Sequence, residues 1–225
     1  MLFPTVEFAL FFALVFPLAW LLNRANGAKK LFLTGVSYLF YSFWDWRFLF
    51  LLLASSVFNF GFGLWLGALV RPQARKTAIA LAVAGNLALL GYFKYYDFLS
   101  ANLSALLARF GVVADFGSTG LALPIAISFL TFHGLSYVID VHRGVLIPSR
   151  SLVDLMLYIS FFPHLVAGPI VRARDFLAQL AAPSNPSAIR LGESMLLILG
   201  GLIKKSGDRR TYLDGLCRSG FHQSA

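Results

Sequence analysis

Apolar runs of about 20 residues, the length a helix needs to cross a hydrocarbon core, recur along this chain between short basic clusters. In hydrocarbon each helix must satisfy its own backbone, so the runs read as an all-α, polytopic transmembrane helical bundle. Composition points the same way. The chain is 58% hydrophobic and only 13% charged, against about 25% charged in a soluble domain. The first run, Leu2 to Leu22, has no basic leader and no small-residue cleavage site before Arg24. It reads as a retained span rather than a cleaved signal peptide.

The formal net charge of +9 is read as topology and contact with anionic lipid. The basic residues sit between spans rather than on one face, which argues against nucleic acid as a partner. Cys217 is the single cysteine, so no internal disulfide forms. No His, Cys or carboxylate group has metal-ligand spacing, and no bound cofactor is expected.

Taken in order, Leu2–Leu22 is followed by Arg24, Lys29 and Lys30, which predicts a cytoplasmic loop and a periplasmic N-terminus. Pro17 predicts a kink in that first helix. A short span, Leu31–Phe43, ends in the aromatic belt Trp44-Asp45-Trp46-Arg47. Phe48–Val70 carries small residues near Asn59 that allow close helix contact. Arg71, Arg75 and Lys76 mark the cytoplasmic side again, and Thr77–Phe93 returns to Lys94-Tyr95-Tyr96-Asp97. Phe98–Phe110 is short enough to lie in the interface or re-enter. Leu121–Val141 ends at Arg143 and Arg150. Leu152–Val171 would then leave Arg172 and Arg174 on the wrong side. A re-entrant or broken helix between Pro163 and Pro169 resolves this, and such backbone is tolerated only where protein or a cavity surrounds it. Phe176–Ala182 reads as interfacial, and Gly192–Ile203 as a further apolar helix before Lys204 and Lys205. The expectation is about six to seven membrane segments, some short or re-entrant.

Two of these segments carry the polar residues. His133, Ser136, Tyr137 and Asp140 recur at offsets of 3, 4 and 7 and share one helix face. They read as a stripe lining an internal channel, or as interhelical hydrogen bonds that hold the bundle together. In the next segment Ser160, His164 and Gly168 are four apart, and Pro163 and Gly168-Pro169 interrupt the helix. Carbonyls freed there could face a polar or anionic group, with a kinked packing helix as the alternative. Arg172 reads as a lining residue or a headgroup anchor. Expected lining residues are therefore His133, Ser136, Tyr137, Asp140, His164, Gly168, Pro169 and Arg172. None is expected to be catalytic or to bind metal.

LPIAISFLTFHGLSYVIDVHRG and YISFFPHLVAGPIVRARDF resemble the two central motifs of membrane-bound O-acyltransferases. LFPTVEFALFF, SYLFYSFWDWRFLFLLL and GYFKYYDF resemble the same family's N-terminal half, in the branch that modifies exported bacterial polysaccharides. The resemblance covers Met1 to about Lys205. It implies a multi-pass protein of the bacterial inner membrane that passes an acyl group through a helix-walled funnel to a hydroxyl. By resemblance the group is acetyl, the donor acetyl-CoA, the acceptor a polymer such as alginate, and a periplasmic acetyltransferase the partner. His133 and His164 stand where the family commonly has glutamine, which keeps a hydrogen-bonding group. The family's catalytic histidine lies in a later helix that these residues do not match, so the expectation is a truncated, inactive N-terminal part. A non-enzymatic scaffold or transporter piece is the competing reading.

Residues 1–205 are expected to form that part, and 206–225 a separate, aberrant tail. From Ser206 the sequence SGDRRTYLDGLCRSGFHQSA loses its apolar periodicity within one residue. Codons for Gly207-Asp208-Arg209 can be chosen so that, read one base later, they encode Val-Ile-Ala, so the tail reads as a frameshift product without function.

Overall fold

The computed structural model describes residues 6–43, 45–110, 117, 126–165, 168, 171–182, 192–194, 196–197 and 199–201. The chain divides into two compact units, Met1–Pro183 and Ser184–Ala225. In the second, residues 192–194, 196–197 and 199–201 are helical. The expected change at Ser206 lies outside the described residues.

All regular structure among the described residues is helical. The helices of the first unit are α1 (Val6–Leu21), α2 (Asn26–Ser42), α3 (Arg47–Ala68), α4 (Pro72–Leu90), α5 (Tyr96–Arg109), α6 (Ile127–His142), α7 (Leu152–Ser160), α8 (Phe162–Leu165) and α9 (Ala173–Ala181). By length and composition, two helical stretches are long and apolar enough to cross a membrane: Arg47–Ala68 and the unbroken Pro72–Arg109.

α1 ends at Leu21 with Pro17 inside it. Other elements depart from expectation. α2 begins at Asn26 rather than Leu31, so Lys29 and Lys30 lie in its first turns and not in a loop. Lysine is a good helix former, and Lys30 gains a partner there: its Nζ lies 2.8 Å from Asp154 Oδ2 at the start of α7. α4 begins at Pro72, where a missing N–H does no harm, and therefore takes in Arg75 and Lys76. Between α4 and α5 there is no break. A π-turn at Gly91–Tyr95 joins them.

α3, α4 and α6 form the centre, with α7 packed across α3 and α2. Their apolar core includes Leu52, Leu66, Ala78, Ala82, Leu130 and Val138. At its heart is an amide clasp. Asn59 Nδ2 donates to Asn86 Oδ1 (3.2 Å), and Asn86 Nδ2 donates to Asn59 Oδ1 (2.9 Å). Each amide also donates along its own helix at 2.9 Å, to Ser55 O and to Ala82 O. Gly134 of α6 packs directly on this pair: a Cβ there would lie 2.5 Å from Asn59 Nδ2. Burying two amides is tolerable because their donors and acceptors meet one another.

One end of the bundle gathers the basic residues. Arg75 reaches the C-termini of two helices at once. Its Nη1 donates to Leu66 O (3.1 Å) and Leu69 O (3.4 Å), and its Nη2 to His142 O (2.8 Å) and Val141 O (3.3 Å). Carbonyls at helix C-termini lack the partners that interior ones have, although Val141 O also accepts from Gly144 N at 3.1 Å, and a cation there also opposes the helix dipoles.

Candidate functional site around a broken helix

α7 starts as a well-capped helix. Ser151 Oγ accepts from Asp154 N at 3.3 Å, and the Asp154 carboxylate lies in the first turn beside Lys30. It stops after nine residues, at Ser160. At about 1.5 Å per residue that is about 14 Å, roughly half a hydrocarbon core. The break falls at Phe161, which has φ −53° and ψ 107°. Pro163 explains its place: it cannot bond Ile159 O and its ring would clash there, so the turn between them opens.

The open turn is satisfied from α2 and from the returning chain. Phe162 N donates to Ser37 Oγ (3.3 Å), while the Ser37 hydroxyl donates to Leu33 O (2.8 Å). Tyr158 Oη donates to Val171 O (3.0 Å). Val171 therefore lies back alongside the middle of α7, and α9 packs against α6 and α7. α7 and the described chain from Val171 through α9 thus lie side by side, as the two arms of a hairpin.

The candidate residues distribute around it unequally. His133 is 2% exposed. Its Nδ1 lies 2.8 Å from Phe129 O, so that nitrogen carries the proton. Its ring meets Tyr158 edge-on, centroids 5.1 Å apart. Ser136 and Asp140 also face Tyr158. Asp140 Oδ2 is buried with no hydrogen-bond partner among the described residues. Serine, histidine and aspartate share this face without the connectivity of a hydrolase triad, because Phe129 O occupies the histidine Nδ1.

Tyr137 leaves the stripe. Adjacent helical residues point about 100° apart, so it cannot follow Ser136. It packs over Gly63 of α3, where a Cβ would lie 2.5 Å from its ring, and its Oη accepts from Ser149 N at 3.2 Å.

His164 lies on the other side of Tyr158. Its ring is 5.1 Å from Phe161 and 6.2 Å from Phe176, and Gly168 packs on it with N donating to His164 O at 3.1 Å. It lines a cleft of about 440 Å³ between α2, α7 and α9, walled by Leu33, Leu157, Phe161, Val171 and Phe176. Lys29 and Gln179 are its polar edge. Of the expected lining residues, His164 is on the wall of this cleft, whereas His133 and Asp140 are not among the described residues that line it. Arg172 is exposed, and Pro169 lies outside the described residues. Among the described residues no group of His, Cys, Asp and Glu could hold a metal.

Four residues central to this site, Ser37, Tyr158, Phe176 and Lys29, carried no site signal in sequence. Each is ordinary in an apolar span or a basic cluster until folding brings it to the cleft.

The chain is 39% identical over 206 residues to the probable alginate O-acetylase AlgI of Azotobacter vinelandii, covering 91% of this chain and 41% of that protein. Over most of its length the chain is thus similar to a portion of that O-acetylase, which is a membrane-bound O-acyltransferase. The probable alginate O-acetylase AlgI of Pseudomonas aeruginosa is 37% identical over 178 residues, 79% of this chain and 34% of that one. The peptidoglycan O-acetyltransferase of Helicobacter pylori is 32% identical over 181 residues, 69% of this chain and 33% of that one. The chain thus spans less than half the length of these O-acyltransferase relatives. A match over 91% of the chain necessarily takes in the broken-helix hairpin. No protein-family model and no solved structure matches the chain.

Proposed function

We propose that this chain forms part of a membrane-bound O-acyltransferase that acetylates hydroxyls of an exported polysaccharide such as alginate. The observation that carries the reading is the similarity to alginate O-acetylases over nearly the whole chain. The hairpin supports it. Acyl transfer to a hydroxyl needs a water-poor passage lined by a few hydrogen-bonding groups, and the cleft at His164 is apolar with one imidazole on its wall. In this reading Tyr158, His164 and the Ser37-capped break shape the passage. None of the described residues is assigned the catalytic base.

The same proposal seats the protein in the bacterial inner membrane with about six to seven membrane segments. The N-terminus is periplasmic, and the end holding Lys30 and Arg75 is cytoplasmic. Acetyl-CoA is the donor, and a periplasmic acetyltransferase the partner.

The test is a transplant. Residues 127–181 replace the matching segment of the Azotobacter vinelandii relative, and acetyl content of the secreted polymer is measured. We expect the chimera to acetylate and its His164→Ala and Tyr158→Phe variants to acetylate less. A chimera that accumulates in the membrane but yields unacetylated polymer overturns the reading.

A further inference from the structure

α5 presents an apolar stripe that the described fold leaves open. Leu99 is 60% exposed, Leu103 44%, Leu106 51% and Phe110 77%, and Tyr92 before them 51%. Their steps of 7, 4, 3 and 4 residues keep them on one side of a helix. Asp97, Ala101, Ala105 and Ala108 lie on the other side, where Phe98 (65% exposed) is the one large apolar side chain and flanks Ala105.

Length sharpens the question. The helix Pro72–Arg109 has 38 residues, about 57 Å at 1.5 Å per residue, against a hydrocarbon core of about 30 Å. The 19 residues of α4 alone come to about 28 Å. α5 therefore begins where the hydrocarbon ends. The π-turn Gly91–Tyr95 sits at that junction with Lys94, Tyr95 and Tyr96, the residue types that anchor at an interface. Lys94 Nζ donates to Ser128 Oγ at 3.3 Å, so the junction is level with the start of α6. The exposed side of α4 at Leu87 and Ala88 runs on through Tyr92 and Tyr95 to Leu99 with no buried position between. Lys94 and Arg109 bracket the stripe and suit anionic headgroups.

We propose that α5 is a membrane-surface helix. It leaves the hydrocarbon at the π-turn, bends at Tyr95, whose φ of −116° and ψ of −7° depart from regular helix values, and lies on the bilayer at the end opposite Arg75. Tyr92, Leu99, Leu103, Leu106 and Phe110 insert among the outer acyl segments, and Ala101 and Ala105 face water. The occupant of the stripe is lipid, continuous with the lipid around α4. The inference rests on the membrane placement proposed above.

Spin labels on the full chain test it, in a Cys217→Ser background and in phosphatidylcholine–phosphatidylglycerol vesicles. Labels at Leu103→Cys and Leu106→Cys should be open to oxygen and shielded from a water-soluble nickel complex, at a depth of roughly 5–10 Å. Labels at Ala101→Cys and Ala105→Cys should show the reverse. Stripe labels as open to nickel as the alanine labels overturn the proposal. So do stripe labels closed to both reagents, which would mean that protein covers the stripe; coupling between labels on two chains would identify that protein as a second copy. A label at Leu87→Cys separates the two readings. If it is shielded from nickel while α5 is aqueous, only the surface helix fails. If it is aqueous too, the membrane placement fails and the surface helix with it.

Discussion

Single side chains hold this bundle at points where helices end or break. Arg75 donates to carbonyls of both α3 and α6. Arg75→Ala strands these groups near a membrane surface, where water supplies part of the loss, and should destabilise by about 2–3 kcal/mol. Arg75→Lys should recover only part, since an ammonium lacks the planar fork that serves two helices. Unfolding in mixed micelles measures both, and an Arg75→Lys variant as stable as the parent would refute the double cap. Tyr158→Phe removes the hydrogen bond to Val171 O and the hydroxyl's interaction with Ser136, and keeps the ring against His133. The expected loss is about 1 kcal/mol, and it should show locally as faster amide exchange in α9 with α3 and α4 unchanged.

At the scale of elements, the close approach of α3, α4 and α6 depends on Gly134 lying against the Asn59–Asn86 pair. Gly134→Leu should force the helices apart and sharply reduce folded protein. Asn59→Leu and Asn86→Leu each leave one amide unpaired, at a cost of about 1–2 kcal/mol. The double variant should lose less than the sum, because no stranded amide remains. Strict additivity in that double-mutant cycle would argue against the clasp. Asn86 had a legible signal: it is the sole amide in the apolar run AIALAVAGNLALL, and a lone amide in hydrocarbon needs a partner. The identity of that partner was not legible, because it comes from a helix 27 positions away.

For the whole molecule the decisive feature is the hairpin Leu152–Ala181. If it turns inside the bundle, both its ends lie on one side of the membrane. Labels at Arg150→Cys and Gln179→Cys should then react with an impermeant maleimide from the same side, and a label at Asp45→Cys from the other. Reaction at positions 150 and 179 from opposite sides would make the segment a full span and remove the proposed passage.

Apolar run length and charge spacing, both properties of neighbours in sequence, determined the helical class, the approximate places of the helices and the need for a break near Pro163. Proline acts on its own turn, so a broken helix was readable without knowing the fold. Tertiary structure alone decided what surrounds that break. Ser37 and Val171 are distant in sequence from the groups they satisfy, and no local pattern marks them. The stripe of His133, Ser136, Tyr137 and Asp140 was readable as a shared face, but a face 100° wide touches more than one neighbour. Packing sent Tyr137 to α3 and left the others toward Tyr158. The continuity of α4 with α5 was also hidden, because Lys94 and Asp97 look like a loop in sequence. Only the packed structure shows Lys94 carried on a π-turn and Asp97 on the first turn of the helix that follows it.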